Sequence, residues 1–196
     1  MTPEIRAFEF ALGLFAVLIG LAIADIATSF HRLVCGKTPV VWDPLALLAA
    51  AFALCMAIGM WFDLWGVRGV TETRHFFFYL FMVSQMFVLF LIAAASLPDE
   101  PERPSNLRDF YAENRRYFWS LIALFQLGYA ALGIYFLHSL FSRMPRAVVI
   151  VFFTQMIILF GIPLLLVAMK SRIVHYVGLG LLFVVTAWHY APYSIN

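Results

Sequence analysis

Asp25 is the residue whose chemistry stands out first, because it lies inside a long apolar run, residues 8–30, of a 196-residue chain. Thr28, Ser29 and Arg32 follow it three, four and seven positions on, so a helix places all four on one polar stripe. A carboxylate one turn from two hydroxyls is an oxygen-rich edge that can hold a proton or a small cation. Helical rise puts Asp25 on the order of 9 Å from the middle of that run. Ionisable groups at such depth are costly unless partnered, and they mark ion pathways by default. The competing reading is a structural carboxylate tied to Thr, Ser or Arg on a neighbouring helix. Arg32 sits about 10 Å further along the axis, so it reaches Asp25 only through a bridging water or hydroxyl.

Gln85, Gln126 and Gln155 form a second set, each near the middle of a different apolar run. Carboxamides at one depth can line a hydrophilic path or bind a polar solute. They can equally hydrogen-bond to one another as interhelical glue, worth about 0.6 to 2 kcal/mol each. Glu9, Asp63, His75, His138 and His189 form a third set at the opposite end of the spans. Their residue types suit zinc, but paired histidines one turn apart are lacking, so the similarity to seven-helix membrane metal hydrolases is loose. G-x-S-x-G, H-E-x-x-H, P-loop and C-x-x-C motifs are absent from the sequence. Arg-poor spans exclude a voltage sensor of the Arg-rich kind. The two cysteines, Cys35 in a loop and Cys55 in mid-span, are not placed for a structural disulfide.

The elements that must position these groups follow from composition. Hydrophobic residues make up 64% of the chain and charged residues 12%, and mean hydropathy is +0.91. Soluble domains are nearer half apolar and a quarter charged, so lipid is the expected surroundings. A net charge of +2 with scattered Lys and Arg excludes nucleic acid as a partner. About 20 apolar residues span the bilayer. Six stretches qualify: residues 8–30, 44–65, 76–97, 118–140, 147–169 and 173–190. The first is too long for the apolar region of a cleavable signal peptide. The expected fold is therefore an all-α membrane bundle of six spans forming one domain over residues 1–196.

Trp61, Trp65, Trp188 and Tyr190 would anchor one interface, and Trp42, Tyr117 and Trp119 the other. Ala16, Gly20, Ala24 and Thr28 recur at every fourth position and read as a close helix-packing seam. Pro163, just beyond Gly161, removes a backbone donor and predicts a kink in span five. The segment at residues 106–117 opens with capping-box spacing at Asn106 and Asp109, and then repeats apolar residues at helical intervals. It reads as a short amphipathic helix on the membrane surface, leading into span four. Of the 13 Lys and Arg, five lie on the side holding both termini (Arg6, Arg68, Arg74, Arg143 and Arg146). The other eight lie opposite, so the termini are expected on the outer side. Spans one and four end alike, at His31 and His138, as an inverted repeat would require, but the remaining spans do not align.

The runs Gly20–Asp25, Asp109–Tyr111 and Asn114–Trp119 resemble a group of small bacterial multi-pass inner-membrane proteins. The resemblance covers most of the chain and implies a bacterial inner membrane. It brings no activity, substrate or ligand set. Three functions are expected in order. The first is a small-solute or ion transporter or channel subunit using Asp25, Thr28, Ser29 and the glutamines. Nearly equal is a structural, sensory or accessory membrane protein acting through a partner. A membrane-embedded metal hydrolase comes third. The expected partners are the bilayer and either a second copy or another membrane protein, and no cofactor is implied.

Overall fold

A computed structural model describes the backbone of residues 3–66, 76–99, 105–137 and 145–191, with side chains over 12–64, 76–99, 106–135 and 145–191. Among the described residues six α-helices follow in order: α1 (Pro3–Cys35), α2 (Pro44–Gly66), α3 (Phe76–Ala94), α4 (Leu107–Leu137), α5 (Arg146–Ala168) and α6 (Arg172–Tyr190). All six are long and apolar enough to cross a membrane. The architecture is that of an all-α, multi-pass membrane protein. Two short strands, β1 (Val40–Val41) and β2 (Ser105–Asn106), pair in parallel just before α2 and α4. The chain forms two compact units, Met1–Asn114 and Arg115–Asn196.

The first unit packs α1, α2 and α3 against one another. On α1 the inward face is Phe15, Ile19, Ala22, Ile26, Ser29 and Leu33, all buried at alternating three- and four-residue steps. The close-packing seam lies on α2, where Ala46, Ala49, Ala50, Ala53 and Ala57 are each at most 5% exposed. Small side chains let the neighbouring backbones approach. The seam expected on α1 is not used this way: Ala24 and Thr28 are exposed, and a Cβ on Gly20 would meet nothing within 4 Å. The Phe15 ring stacks on Tyr79 of α3 at 6.5 Å, which sets the parallel register of α1 and α3. Gly36 ends α1, and a Cβ there would fall 2.5 Å from the Arg32 carbonyl oxygen, so only glycine fits that close return.

Helix starts are fixed by side chains. Asp43, 4% exposed, accepts the Ala46 N–H at 3.4 Å just before Pro44, the favoured first residue of a helix. Asn106 Oδ1 accepts the Arg108 N–H at 3.1 Å, while its amide donates to Asp109 Oδ2 at 2.7 Å. The paired strands β1 and β2 lead directly into these two caps. Both cysteines are free thiols.

In the second unit α6 lies against α5. Gly178 makes that approach possible: a Cβ there would sit 3.0 Å from Leu166 Cδ2 and 3.3 Å from Ile162 Cγ2. Leu166, Leu179 and Leu182 close the contact and are at most 1% exposed. Outward, α5 presents Ile150, Val151, Ile157 and Leu165, and α6 presents Ile173 and Val184, an apolar surface suited to acyl chains. The helix assignment of α5 continues through Gly161 and Pro163.

The separate surface helix at 106–117 is not present. Those residues are the opening turns of α4, a single helix of 31 residues. No Gly or Pro falls between Leu107 and Leu127, so nothing breaks the helix before the apolar run. Its stripe is covered by protein instead of lying on lipid: Leu107, Tyr111 and Phe118 are buried. Trp119 is fully buried and so is no interfacial anchor, whereas Trp42, Tyr117 and Trp188 are exposed. Continuity can be tested at Tyr117, which is 52% exposed and so contributes little packing. Tyr117→Pro in an unbroken helix costs about 3 kcal/mol or more, whereas proline at the first position of a new helix is tolerated. Thermal unfolding in detergent micelles, followed by far-ultraviolet circular dichroism, is expected to show the loss. Wild-type stability of the variant would place a helix break there.

Candidate functional site

In the first unit the polar stripe of α1 meets a partner from the chain that leaves α3. Ser29, 2% exposed, donates its hydroxyl to Asp99 Oδ1 at 2.9 Å. One turn on, Arg32 Nη1 donates to the Asp99 main-chain carbonyl at 2.7 Å. Asp99 and Arg32 are the charged groups that act on Asp25. Asp25 is half-buried, and its Oδ2 atom is buried without a hydrogen-bond partner. The carboxylate therefore sits at the edge of the packed face of α1, one turn inward from the Ser29–Asp99 bond. Two carboxylates and one guanidinium leave this cluster one negative charge in excess when all three are ionised.

The remaining residues of the expected site divide. Thr28 does not join it: its hydroxyl donates to the Ala24 carbonyl at 2.7 Å and the residue is exposed. A hydroxyl bonded to the carbonyl four residues back has no donor left for a path. Gln85, in the first unit, is 8% exposed and its Oε1 is buried without a partner. Gln126 and Gln155 belong to the second unit and are half-buried. Within the second unit no hydrogen bond joins Gln126 to Gln155 among the described residues. Arg32, about 10 Å along the axis from Asp25, gives its Nη1 donor to the Asp99 carbonyl.

Among the described residues no three His, Cys, Asp or Glu side chains come together as a metal site would require. Of the five residues in the expected cluster, His75 and His138 lie outside the described residues, as does the side chain of Glu9. Asp63 belongs to the first unit and His189 to the second.

Asp99 is the functional candidate that sequence reasoning passed over. It stands in an acidic, proline-rich connection that reads as solvent-exposed, and its partner lies 70 residues away. A second passed-over cluster builds the end of α5. Arg115, 9% exposed, donates from Nη1 to the Met169 carbonyl at 2.5 Å and to the Val167 carbonyl at 3.4 Å. His175, 1% exposed, places Nε2 3.0 Å from the same Met169 oxygen. A carbonyl only accepts, so Nε2 carries the proton in this bond. Trp119 covers the imidazole with ring centroids 6.2 Å apart. The last carbonyls of a helix have no partner within it, and a cation there also meets the negative end of the helix dipole. The cluster is a clasp that closes α5 onto α4 and α6.

Because Arg115 and His175 share one acceptor, their contributions should be coupled. Arg115→Met and His175→Leu are each expected to cost about 1–3 kcal/mol. The double variant should depart from the sum by about 0.5 kcal/mol or more. A double-mutant cycle in detergent unfolding measures it, and strict additivity would show that the two donors act separately.

No protein-family model, curated protein or solved structure matches the chain.

Proposed function

We propose that the chain is a bacterial inner-membrane transporter or channel subunit that carries a small cation, the proton included, past Asp25. The observation that carries this reading is the buried, unpartnered Oδ2 of a carboxylate within a span. A buried acceptor without a donor costs about 1–3 kcal/mol, and its need is met by a proton or a cation. Asp99 and Ser29 extend the oxygen-bearing surface from that carboxylate to the exposed end of α1. The excess of Lys and Arg on that side supports a cytoplasmic Asp99 end, with the termini outside.

The outward small-residue seam of α1 favours a second reading. Gly13 and Gly20 have open space above them. Such a face suits close approach by a helix of another membrane protein or of a second copy, as an accessory role would use.

Liposomes holding the purified chain, with entrapped dyes for protons, Na+ and K+, test the first reading. Flux of one of these ions above that of empty liposomes is expected. Asp25→Asn should reduce it to the empty-liposome level while leaving the helical spectrum unchanged. Flux that survives Asp25→Asn would overturn the assignment of Asp25.

A further inference from the structure

We infer that the carried cation is the proton, and that Asp99 is the water-facing end of a relay that reaches Asp25 through the Ser29 hydroxyl. The inference rests on the transport reading above and deepens it by naming the ion and its entry residue.

Ser29 is the first ground. Hydroxyls inside helices ordinarily satisfy themselves on a carbonyl of their own turn. Thr28 does so onto Ala24 and Ser84 onto Leu80. Ser29, though 2% exposed, instead sends its proton off the helix to a carboxylate from beyond α3. Its oxygen keeps two acceptor lone pairs. Asp25 stands four residues before it, the spacing at which helical side chains meet, about 5–6 Å between Cβ atoms. In the relay one bridging water or a change of rotamer joins the two groups.

Exposure gives the path its direction. Asp99 is exposed, Ser29 is buried, and Asp25 Oδ2 is buried one turn deeper. Arg32 holds this geometry through the Asp99 main-chain carbonyl. The Asp99 carboxylate is thereby free to accept from Ser29 and to exchange protons with water. Arg32 is thus a positioning residue.

The donor set argues against a divalent ion. Hard divalent cations ask for about six oxygen ligands. Here two carboxylates and one hydroxyl stand beside a guanidinium, and Thr28 is turned away. A proton needs no such shell. It needs an unbroken order of donor and acceptor, and a single proton cancels the excess negative charge of Asp25, Asp99 and Arg32.

Transfer from Asp25 to Asp99 balances as follows. The O–H bond of protonated Asp25 breaks as its proton bonds to Ser29 Oγ. At the same time the original Ser29 O–H bond breaks and its proton bonds to Asp99 Oδ1. Ser29 ends neutral, Asp25 carries the negative charge, and protonated Asp99 releases to water. The reverse order loads Asp25, and no oxidant or reductant enters.

The full-length chain in liposomes, with an entrapped pH dye and an imposed membrane potential, tests the relay. Asp99→Asn is expected to slow proton flux on the order of 100-fold, the lower end for loss of a positioned proton-transfer group. External formate or azide, small weak acids that deliver protons, should restore most of that rate. Only a folded protein can be rescued, so recovery also excludes simple misfolding. Ser29→Ala should slow flux similarly, and Asp99→Glu should retain it. Wild-type flux in Asp99→Asn, or a loss that neither weak acid nor Asp99→Glu repairs, would overturn the relay. Asp25-dependent flux of Na+ or K+ that is indifferent to Asp99 would overturn the relay and leave the transport reading standing. Wild-type protein that moves none of these ions would remove both.

Discussion

Hydrocarbon offers a backbone amide no hydrogen-bond partner, and that constraint orders the structure. Each peptide group must be satisfied within its own segment, so the apolar runs become helices. The groups that a helix cannot satisfy lie in its first and last turns, and the polar side chains gather there. Asp43 and Asn106 cap the starts of α2 and α4. Arg115 and His175 bind the carbonyls that end α5. Ser29 and Arg32 hold the chain that leaves α3. Long-range polar contacts of this kind serve two purposes at once. They satisfy groups the helix leaves open, and they bind segments distant in sequence where water begins.

Asp25 departs from this arrangement because it lies inside a span and ends no helix. Its position becomes intelligible when α1 is divided by face. Phe15, Ile19, Ala22, Ile26 and Leu33 are packed, while Gly20, Ala24 and Thr28 are exposed. Ser29 is packed with the former, Asp25 stands at the border of that face, and Arg32 is exposed beyond. A carboxylate in the middle of the packed face would lack any route to water, and one on the outer face would meet acyl chains. The border sets Asp25 one turn from Ser29, whose hydroxyl bonds the exposed Asp99. This placement suits a group that gains and loses a proton.

Span number and helical class were legible in the sequence, because run length against bilayer thickness is a strong criterion. Faces were less so. Leu107, Tyr111 and Phe118 recur at helical spacing whether the stripe meets headgroups or protein, and only the covering neighbours decide between them. Small residues at every third or fourth position occur on both α1 and α2. Spacing alone does not reveal which of the two seams is used; Ala46–Ala57 on α2 is the one that packs. Asp25 and Ser29 were legible as a stripe, since both lie on one helix. Asp99 was not, because its contact with Ser29 depends on how the connection after α3 folds back. Arg115 and His175 were hidden for a similar reason: each looks like an ordinary interfacial charge until the end of α5 supplies the shared carbonyl.

The two arginine clusters separate a structural device from a candidate site. Arg115 and Arg32 both bind main-chain carbonyls. In the clasp, the donors of Arg115 and His175 converge on helix-terminal oxygens that need them, so the Met169 carbonyl is served twice. Nothing in that arrangement calls for a further ligand, and its physical effect is to hold three helices together. In the Asp25 cluster, Arg32 is engaged on a carbonyl that would otherwise meet water, while a carboxylate oxygen one turn deeper goes without a donor. Seven residues, about 10 Å along the axis, separate Arg32 from Asp25, so its guanidinium serves the connection after α3 and leaves the deeper oxygen unpaired. The clasp is complete as it stands, whereas the Asp25 cluster keeps an acceptor whose need a proton or a cation meets.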